Sequence, residues 1–379
     1  MNVNVPILDL RRTRQRIASR LDERWQRILA EGSFVLGPEV REFEAAFAAY
    51  LGVAACAGLA NGTDALVLAL RALGLRPGDE VIVPAFTFFA TAEAVVLLGG
   101  RPVLADVDPR TLNLDAADAA ARITGRTVGI LGVHLYGRPF DVDAVLALCG
   151  KHGLWLLEDA AQAQGALWRG KRVGGFGALA AWSFYPTKNL GCFGDGGAAT
   201  GNDRELVERV RLLANHGQTA RYHHVLVGTN SRLDSLQAAV LNCRLPLLDA
   251  DNARRREIAG RYHGGLASLV ETGDVALLED PPGVTGATPV YHQMTLRTAR
   301  RDALQEHLKA AGIASAVHYP APLHRLPALE GIVDARDGDL PVATAAAREV
   351  LCLPIYPELT DDEVEAVCAA VRSFFGQPL

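Results

Sequence analysis

Apolar positions along this chain follow two rhythms. Short unbroken apolar runs alternate with longer stretches in which apolar residues recur at helical spacing, as expected for buried strands joined by crossover helices. "DEVIVP" reads as a buried strand ending at Pro84, and "TAEAVVLLG" as the helix after it. "RPVLADVD" is strand-like, and "RTVGILGVHLYG" is a further strand followed by the helix "DVDAVLALCGKHG". "LWLLEDAAQ" is strand-like as far as Glu158 and Asp159. "GALAAWSFYP" and "GGAATGN" come next, then the helix "DRELVERVRLLANHG". This alternation predicts an α/β fold with a mainly parallel sheet flanked by helices.

From Asp234 to about Leu269 the pattern is helical, and Pro246 is expected to kink or break it. The organisation then changes. "DPPGVTGATP" is rich in Pro and Gly, "VYHQMTLRT" reads as a strand, "RDALQEHLKAAG" as an amphipathic helix and "TDDEVEAVCAAVRSFF" as a terminal helix. The resulting expectation is a large α/β domain over residues 12–250 and a smaller C-terminal α+β domain over residues 251–379. The N-terminal arm, residues 1–11, is expected to pack with the smaller one.

Composition adds limits. With 379 residues, 49% hydrophobic and 21% charged, the chain suits a soluble protein with a large core. A net charge of −5 offers no basic footprint for nucleic acid. No apolar run approaches the roughly 20 residues of a membrane span, and the first residues lack a signal-peptide apolar core. A cytoplasmic protein is expected. The six cysteines are scattered with no CxxC pair, so neither a metal site nor a disulfide framework is expected. Cys192 reads either as a small apolar filler or as a neighbour of a site around Lys188.

The basic residues are lopsided. Of 38 Lys and Arg, only Lys151, Lys171, Lys188 and Lys309 are lysine. Arginine cannot form an imine, whereas lysine can be tuned to do so. Lys151 follows a helix, Lys171 sits in a turn and Lys309 lies on an amphipathic helix, all suited to surface charge. Lys188, in "SFYPTKNLGCFGDGGA" after an apolar strand, is the best Schiff-base candidate.

In an open α/β sheet, functional groups gather at the carboxyl ends of strands, and three more loops qualify. In "LANGTDAL", Asn61, Gly62 and Thr63 open a helix, which suits an anion and equally an ordinary cap. In "VPAFTFFATA", Phe86, Phe88 and Phe89 could stack on a planar ring or simply be core. In "LLEDAAQAQGA", Asp159 could pair with a protonated ring nitrogen and Gln162 could bond a ring substituent. The same acids also suit a helix N-terminus. An anion cradle, a stacking ring, a carboxylate and an amine, with Ser183 at the strand end, are together what pyridoxal phosphate requires of a protein.

Across almost its whole length the chain resembles the DegT/DnrJ/EryC1/StrS family of sugar aminotransferases, which have the fold type I architecture of pyridoxal-phosphate enzymes. The likeness is carried by "FVLGPEVREFEAAFAAYLG", "LANGTDAL", "VHLYG", "EDAAQAQGA", "SFYPTKNLG", "GDGGA", "NSRLDSLQAAVL", "VYH" and "HYPAPLH". The resemblance implies that Lys188 holds the cofactor aldehyde, that Asp159 faces the pyridine nitrogen and that Gln162 faces the ring hydroxyl. It implies Gly62, Thr63 and Ser183 at the phosphate and Phe88 on the ring. Asn230 would reach the phosphate of a neighbouring subunit's cofactor, so a homodimer with shared sites is implied.

Members with His at the lysine position act as dehydratases, so Lys188 favours transamination. L-glutamate is the implied amino donor, and the cofactor would cycle through pyridoxamine phosphate. "VHLYGRPFDVD", "ARYHHVLVGTNSRLD" and "HYPAPLH" look most like members that aminate C-3 of dTDP-3-keto-6-deoxyhexoses. That places Tyr222, His223, His318, Tyr319 and His324 near the sugar nucleotide. Amination at C-4, a UDP-sugar or a keto-cyclitol are the alternatives within enzymes. A non-catalytic cofactor-binding regulator is the alternative outside them, and it lacks any appended helix-turn-helix or basic segment to support it. Gln164, where His is frequent in the family, and Cys192, where a small or aliphatic residue is usual, are two departures.

Overall fold

The computed structural model describes residues 4–279 and 286–377. Two helices, α1 (Leu10–Glu31) and α2 (Pro38–Leu51), come first. Then strands and helices alternate: β1 (Ala55–Leu59), α3 (Gly62–Ala72), β2 (Glu80–Pro84), α4 (Ala90–Leu97), β3 (Arg101–Ala105), α5 (Ala116–Ala121), β4 (Thr127–Val133), α6 (Val142–His152) and β5 (Trp155–Asp159). A small hairpin, β6 (Leu167–Trp168) and β7 (Lys171–Arg172), precedes β8 (Leu179–Ser183), β9 (Gly197–Gly201) and α7 (Arg204–Ala214).

The main sheet has the order β1-β9-β8-β5-β4-β2-β3. Its pairings are parallel except that β9 runs against both of its neighbours. Alternate residues feed opposite faces. Ile82, Ile130, Leu156 and Trp182 enter one core with Phe43 and Phe47 of α2, and Val81, Leu131, Leu157 and Ala181 enter another with Leu66 and Leu70 of α3. A sheet covered by helices on both faces must be apolar on both, which is why these strands read as unbroken runs.

Pro246 breaks the long helix as expected. The chain runs α8 (Ser235–Arg244), a single 3₁₀ turn and α9 (Leu248–Gly265), then α10 (Ala267–Glu271). An exposed two-stranded ribbon, β10 (Gln218–Ala220) and β11 (His223–His224), precedes α8. Beyond it lie β12 (Ala276–Leu277), β13 (Ala287–Thr288), β14 (Met294–Arg297), α11 (Arg301–Ala310), α12 (Pro341–Glu349), β15 (Val350–Leu353) and α13 (Asp361–Phe374). Most of "DPPGVTGATP", residues 280–285, lies outside the described residues.

β12, β14 and β15 form a second, antiparallel sheet, and a third core joins them to α9, α11 and α13. Val5 of the N-terminal arm enters that core. Its amide donates to the Gly312 carbonyl at 3.0 Å and its carbonyl accepts from Ala314 at 2.9 Å. Residue 250 falls inside α9, and Leu323, Ala343 and Val350 pack into the core that holds α3 and α4. The two parts thus share apolar surface.

Candidate active site

Five strands deliver their carboxyl ends to one cavity of about 670 Å³. β1 leads into Asn61, whose side chain caps α3 by accepting from the Asp64 amide at 2.8 Å. Gly62 and Thr63 therefore present the first turn of α3 at the cavity wall. Ser183, the last residue of β8, stands against them: a Cβ on Gly62 would lie 2.7 Å from that of Ser183. Ser183 is held there by its neighbours. Trp182 and Phe184 are buried on the α2 side, edge-on to Phe47 with ring centroids 5.1 and 5.5 Å away, each such pair contributing about 1 kcal/mol. Helix-end amides facing a hydroxyl make an anion cradle.

Asp159 ends β5 and is 6% exposed. It accepts from the Thr91 hydroxyl at 3.0 Å and from the Ala161 amide at 3.2 Å. Burial nonetheless holds its pKa above the usual carboxylate value, against those bonds and the charge of Lys188. Lys188, half-buried in the same cavity, is pushed the other way. Burial lowers its pKa to about 8, with Asp159 opposing. A carboxylate short of a cation and an amine short of solvation suit a cationic ring nitrogen and an imine.

Gln162 is clamped. Its Oε1 accepts from the Tyr136 amide at 2.6 Å and its Nε2 donates to the Tyr319 hydroxyl at 3.2 Å. The first bond explains why "VHLYG" departs from the expected strand. β4 stops at Val133 and turns through Tyr136 at φ 58°, which aims that amide at Gln162. Of the three phenylalanines, Phe86 is core, Phe89 packs on the core, and Phe88 lines the cavity, 55% exposed. Its ring is tilted 40° to that of Tyr319 with centroids 5.9 Å apart.

The cavity thus gathers Gly62, Thr63, Phe88, Asp159, Gln162, Ser183, Lys188, His318 and Tyr319. It does not gather the rest. Tyr222 is 80% exposed on the ribbon, and His223 bonds Thr219 through Nδ1 at 2.8 Å. Asn230 is exposed, in a backbone bridge with Asn215. His324 does not line the cavity either; its Nε2 is 2.9 Å from Asp337, which also pairs with Arg325.

Lys151, Lys171 and Lys309 are exposed. Cys192 is core filler, its thiol pushed up to about 11 by burial. Gln164, the other departure, ties the β5 loop to β8 by donating to the Ser183 carbonyl at 2.7 Å.

His292 and Arg255 are among the cavity residues that carry no role in the sequence reading. His292 is buried, 3.3 Å from the Asn189 side chain. It lies in "VYH", which was expected to be strand, but β14 begins only at Met294. Arg255 hides among three consecutive arginines. Helical spacing could have found it, because it falls on the buried stripe of Ile258, Ala259 and Tyr262.

Residues 15–372 match the DegT/DnrJ/EryC1/StrS aminotransferase family. The chain belongs to that family. It is 47% identical to a dTDP-3-amino-3,4,6-trideoxy-alpha-D-glucose transaminase of Streptomyces venezuelae, over 98% of this chain and 96% of that one. It is 45% identical to a UDP-2-acetamido-2-deoxy-3-oxo-D-glucuronate aminotransferase of Pseudomonas aeruginosa, over 97% of this chain and 100% of that one. The crystal structure of DesV from S. venezuelae, in complex with a ketimine intermediate, superimposes with a TM-score of 0.95 at 46% identity, covering 99% of this chain and all of that one. The expected fold and the expected sugar aminotransferase, of a family that works with pyridoxal phosphate, both stand. Among the described residues no helix is long and apolar enough to cross a membrane.

Proposed function

We propose that this family member moves an amino group from L-glutamate to C-3 of a dTDP-3-keto-6-deoxyhexose, using pyridoxal phosphate held in the cavity described above. The observation that carries the chemistry is the meeting of Lys188 and Asp159 beside the α3 cradle. Bound there, the cofactor supplies an electrophilic carbon and an electron sink. Gly62, Thr63 and Ser183 hold its phosphate, Phe88 covers its ring, and Gln162 fixes the ring hydroxyl. Asp159 keeps the ring nitrogen protonated. Lys188 takes the proton from the donor's α-carbon and later returns it to the sugar carbon that receives nitrogen. Its pKa of about 8 suits an amine that must both accept and give up a proton near neutrality.

A concordance supports the position on the sugar. The two relatives above differ in nucleotide, yet both printed names put the reacting group at C-3. A homodimer accounts for Asn230, Tyr222 and His223, which this protomer does not bring to its own cavity and which a second copy would use. Apolar exposure at Phe34, Val35, Tyr222 and Val227 supports such a contact.

The test starts from the pyridoxamine-phosphate form. Adding a dTDP-3-keto-6-deoxyhexose restores the cofactor's long-wavelength visible band, and the 4-keto isomer in a parallel cuvette leaves it absent. Return with the 4-keto sugar alone, or only with a UDP-sugar or cyclitol ketone, replaces the substrate. Silence with every ketone supports a regulator.

The cradle has its own test. Gly62→Ala forces a Cβ against β8, and overpacking of this kind costs about 1–3 kcal/mol. The expected outcome is a lower melting temperature and cofactor affinity weakened about tenfold or more, read by titrating cofactor-free protein with pyridoxal phosphate. Gly150→Ala in α6, where a Cβ meets nothing within 4 Å, is the control and leaves affinity unchanged.

A further inference from the structure

Among the described residues lining the cavity Arg255 is the one arginine, and the proposed reaction gives it no task. It projects from the buried stripe of α9 and is 4% exposed. Nη1 donates to the carbonyls of Tyr291 at 3.1 Å and Ile355 at 2.9 Å. Nε is buried with no partner, and Nη2 donates to no group of the described residues. Those two nitrogens form one edge of the guanidinium fork, the edge that takes a carboxylate side-on through two parallel bonds.

No carboxylate of the described residues claims that edge. Asp251 and Glu358 are the acids near enough to support its charge, and both are paired with Arg16, at 2.7 and 2.9 Å. Burial and the neighbouring Arg244 lower the Arg255 pKa to about 10. Positive charge accumulates in this corner. His292 is kept neutral by its burial and by the charges of Lys188 and Arg255 around it. A buried guanidinium with unused donors is costly, and an incoming anion removes that cost.

We propose that Arg255 binds the α-carboxylate of the amino donor. The inference rests on the aminotransferase reading and names the group that orients its first substrate. The donor's carboxylate sits on the carbon that bears the amine, so an amine brought to Lys188 brings a carboxylate into the same corner. A nucleotide sugar differs, because its charge lies on a pyrophosphate several bonds from the reacting ketone. One cavity can then take two unlike substrates in turn, and only the first engages Arg255.

Single-turnover kinetics separate the two halves. In Arg255→Lys, which keeps charge and loses the fork, the rate constant for L-glutamate with the pyridoxal-phosphate form should fall about 30- to 100-fold at low substrate, the worth of charge-assisted hydrogen bonds. The pyridoxamine-phosphate form should still react with the keto sugar within about threefold of wild type. Calorimetry on cofactor-free protein should show weaker binding of 2-oxoglutarate in the variant.

Should the variant fail to fold, wild-type protein answers the same question. The α-amide of L-glutamate should be a far poorer donor than its γ-amide, L-glutamine. An α-amide as good as glutamate, equal slowing of both halves, or slowing of the sugar half alone overturns the proposal. Wild type that reacts with glutamate but with no keto sugar overturns the acceptor reading and leaves Arg255 fully tested.

Discussion

Lys188→Ala abolishes turnover, by at least about 10⁴-fold, because it removes both the nucleophile and the proton carrier. Lys188→Arg is expected to be as inactive, since arginine keeps the charge and cannot form an imine. The fold should survive Lys188→Ala. Lys188 is the group burial disfavours, with its pKa held at about 8, so removing the amine relieves a desolvation cost. Its backbone bond to the Tyr185 carbonyl, 2.8 Å, remains in the variants. The cofactor-free Lys188→Ala protein should therefore melt no lower than wild type. Full activity in Lys188→Ala would remove the central claim.

The lowered pKa has a rate consequence. Only the neutral amine attacks an aldehyde, so cofactor uptake by wild type should rise about tenfold per pH unit below about 8 and flatten above it. Appearance of the visible band after mixing reads this directly. An unperturbed lysine would keep rising past pH 10.

The reach of the sequence can be judged from the same residues. Lys188 was legible because lysine is scarce and the other three lysines had evident surface places. Asp159 and Gln162 were legible because carboxylate and amide at the end of an apolar strand are conspicuous, and the parallel alternation put that strand end where sites form. The antiparallel run of β9 was not legible, because a run of small residues such as "GGAATGN" carries no sign of direction. The close approach of Gly62 to Ser183 was equally hidden, since it depends on two strands far apart in sequence.

Arg255 shows a different limit. Three adjacent arginines look alike until helix phase is fixed, and phase depends on where Pro246 breaks the helix. Tyr319 was expected at the sugar nucleotide. Its hydroxyl accepts a hydrogen bond from Gln162, which a sequence motif cannot disclose. Tyr222, His223 and Asn230 lie on a surface whose partner is a second chain in the proposed assembly, and no reading of one chain places them.

Asp159→Asn is expected to lower turnover by about 10³-fold or more without slowing cofactor uptake, a separation that a merely structural role would not produce. The amide is close in size, and Thr91 can rotate its hydroxyl to suit the new partner, so packing is kept. What changes is charge. Without a carboxylate the ring nitrogen is no longer held protonated, and the electron sink that proton removal needs is weakened.

The substitution also reaches Lys188. Asp159 is the group that opposes the desolvation of its amine, so the amine's pKa should fall below about 8. The break in the uptake profile should move to lower pH with it, and uptake near pH 7 should be faster than in wild type. Loss of turnover together with an unmoved break would mean that Asp159 and Lys188 do not sense each other. Unchanged turnover would take the pyridine nitrogen away from Asp159.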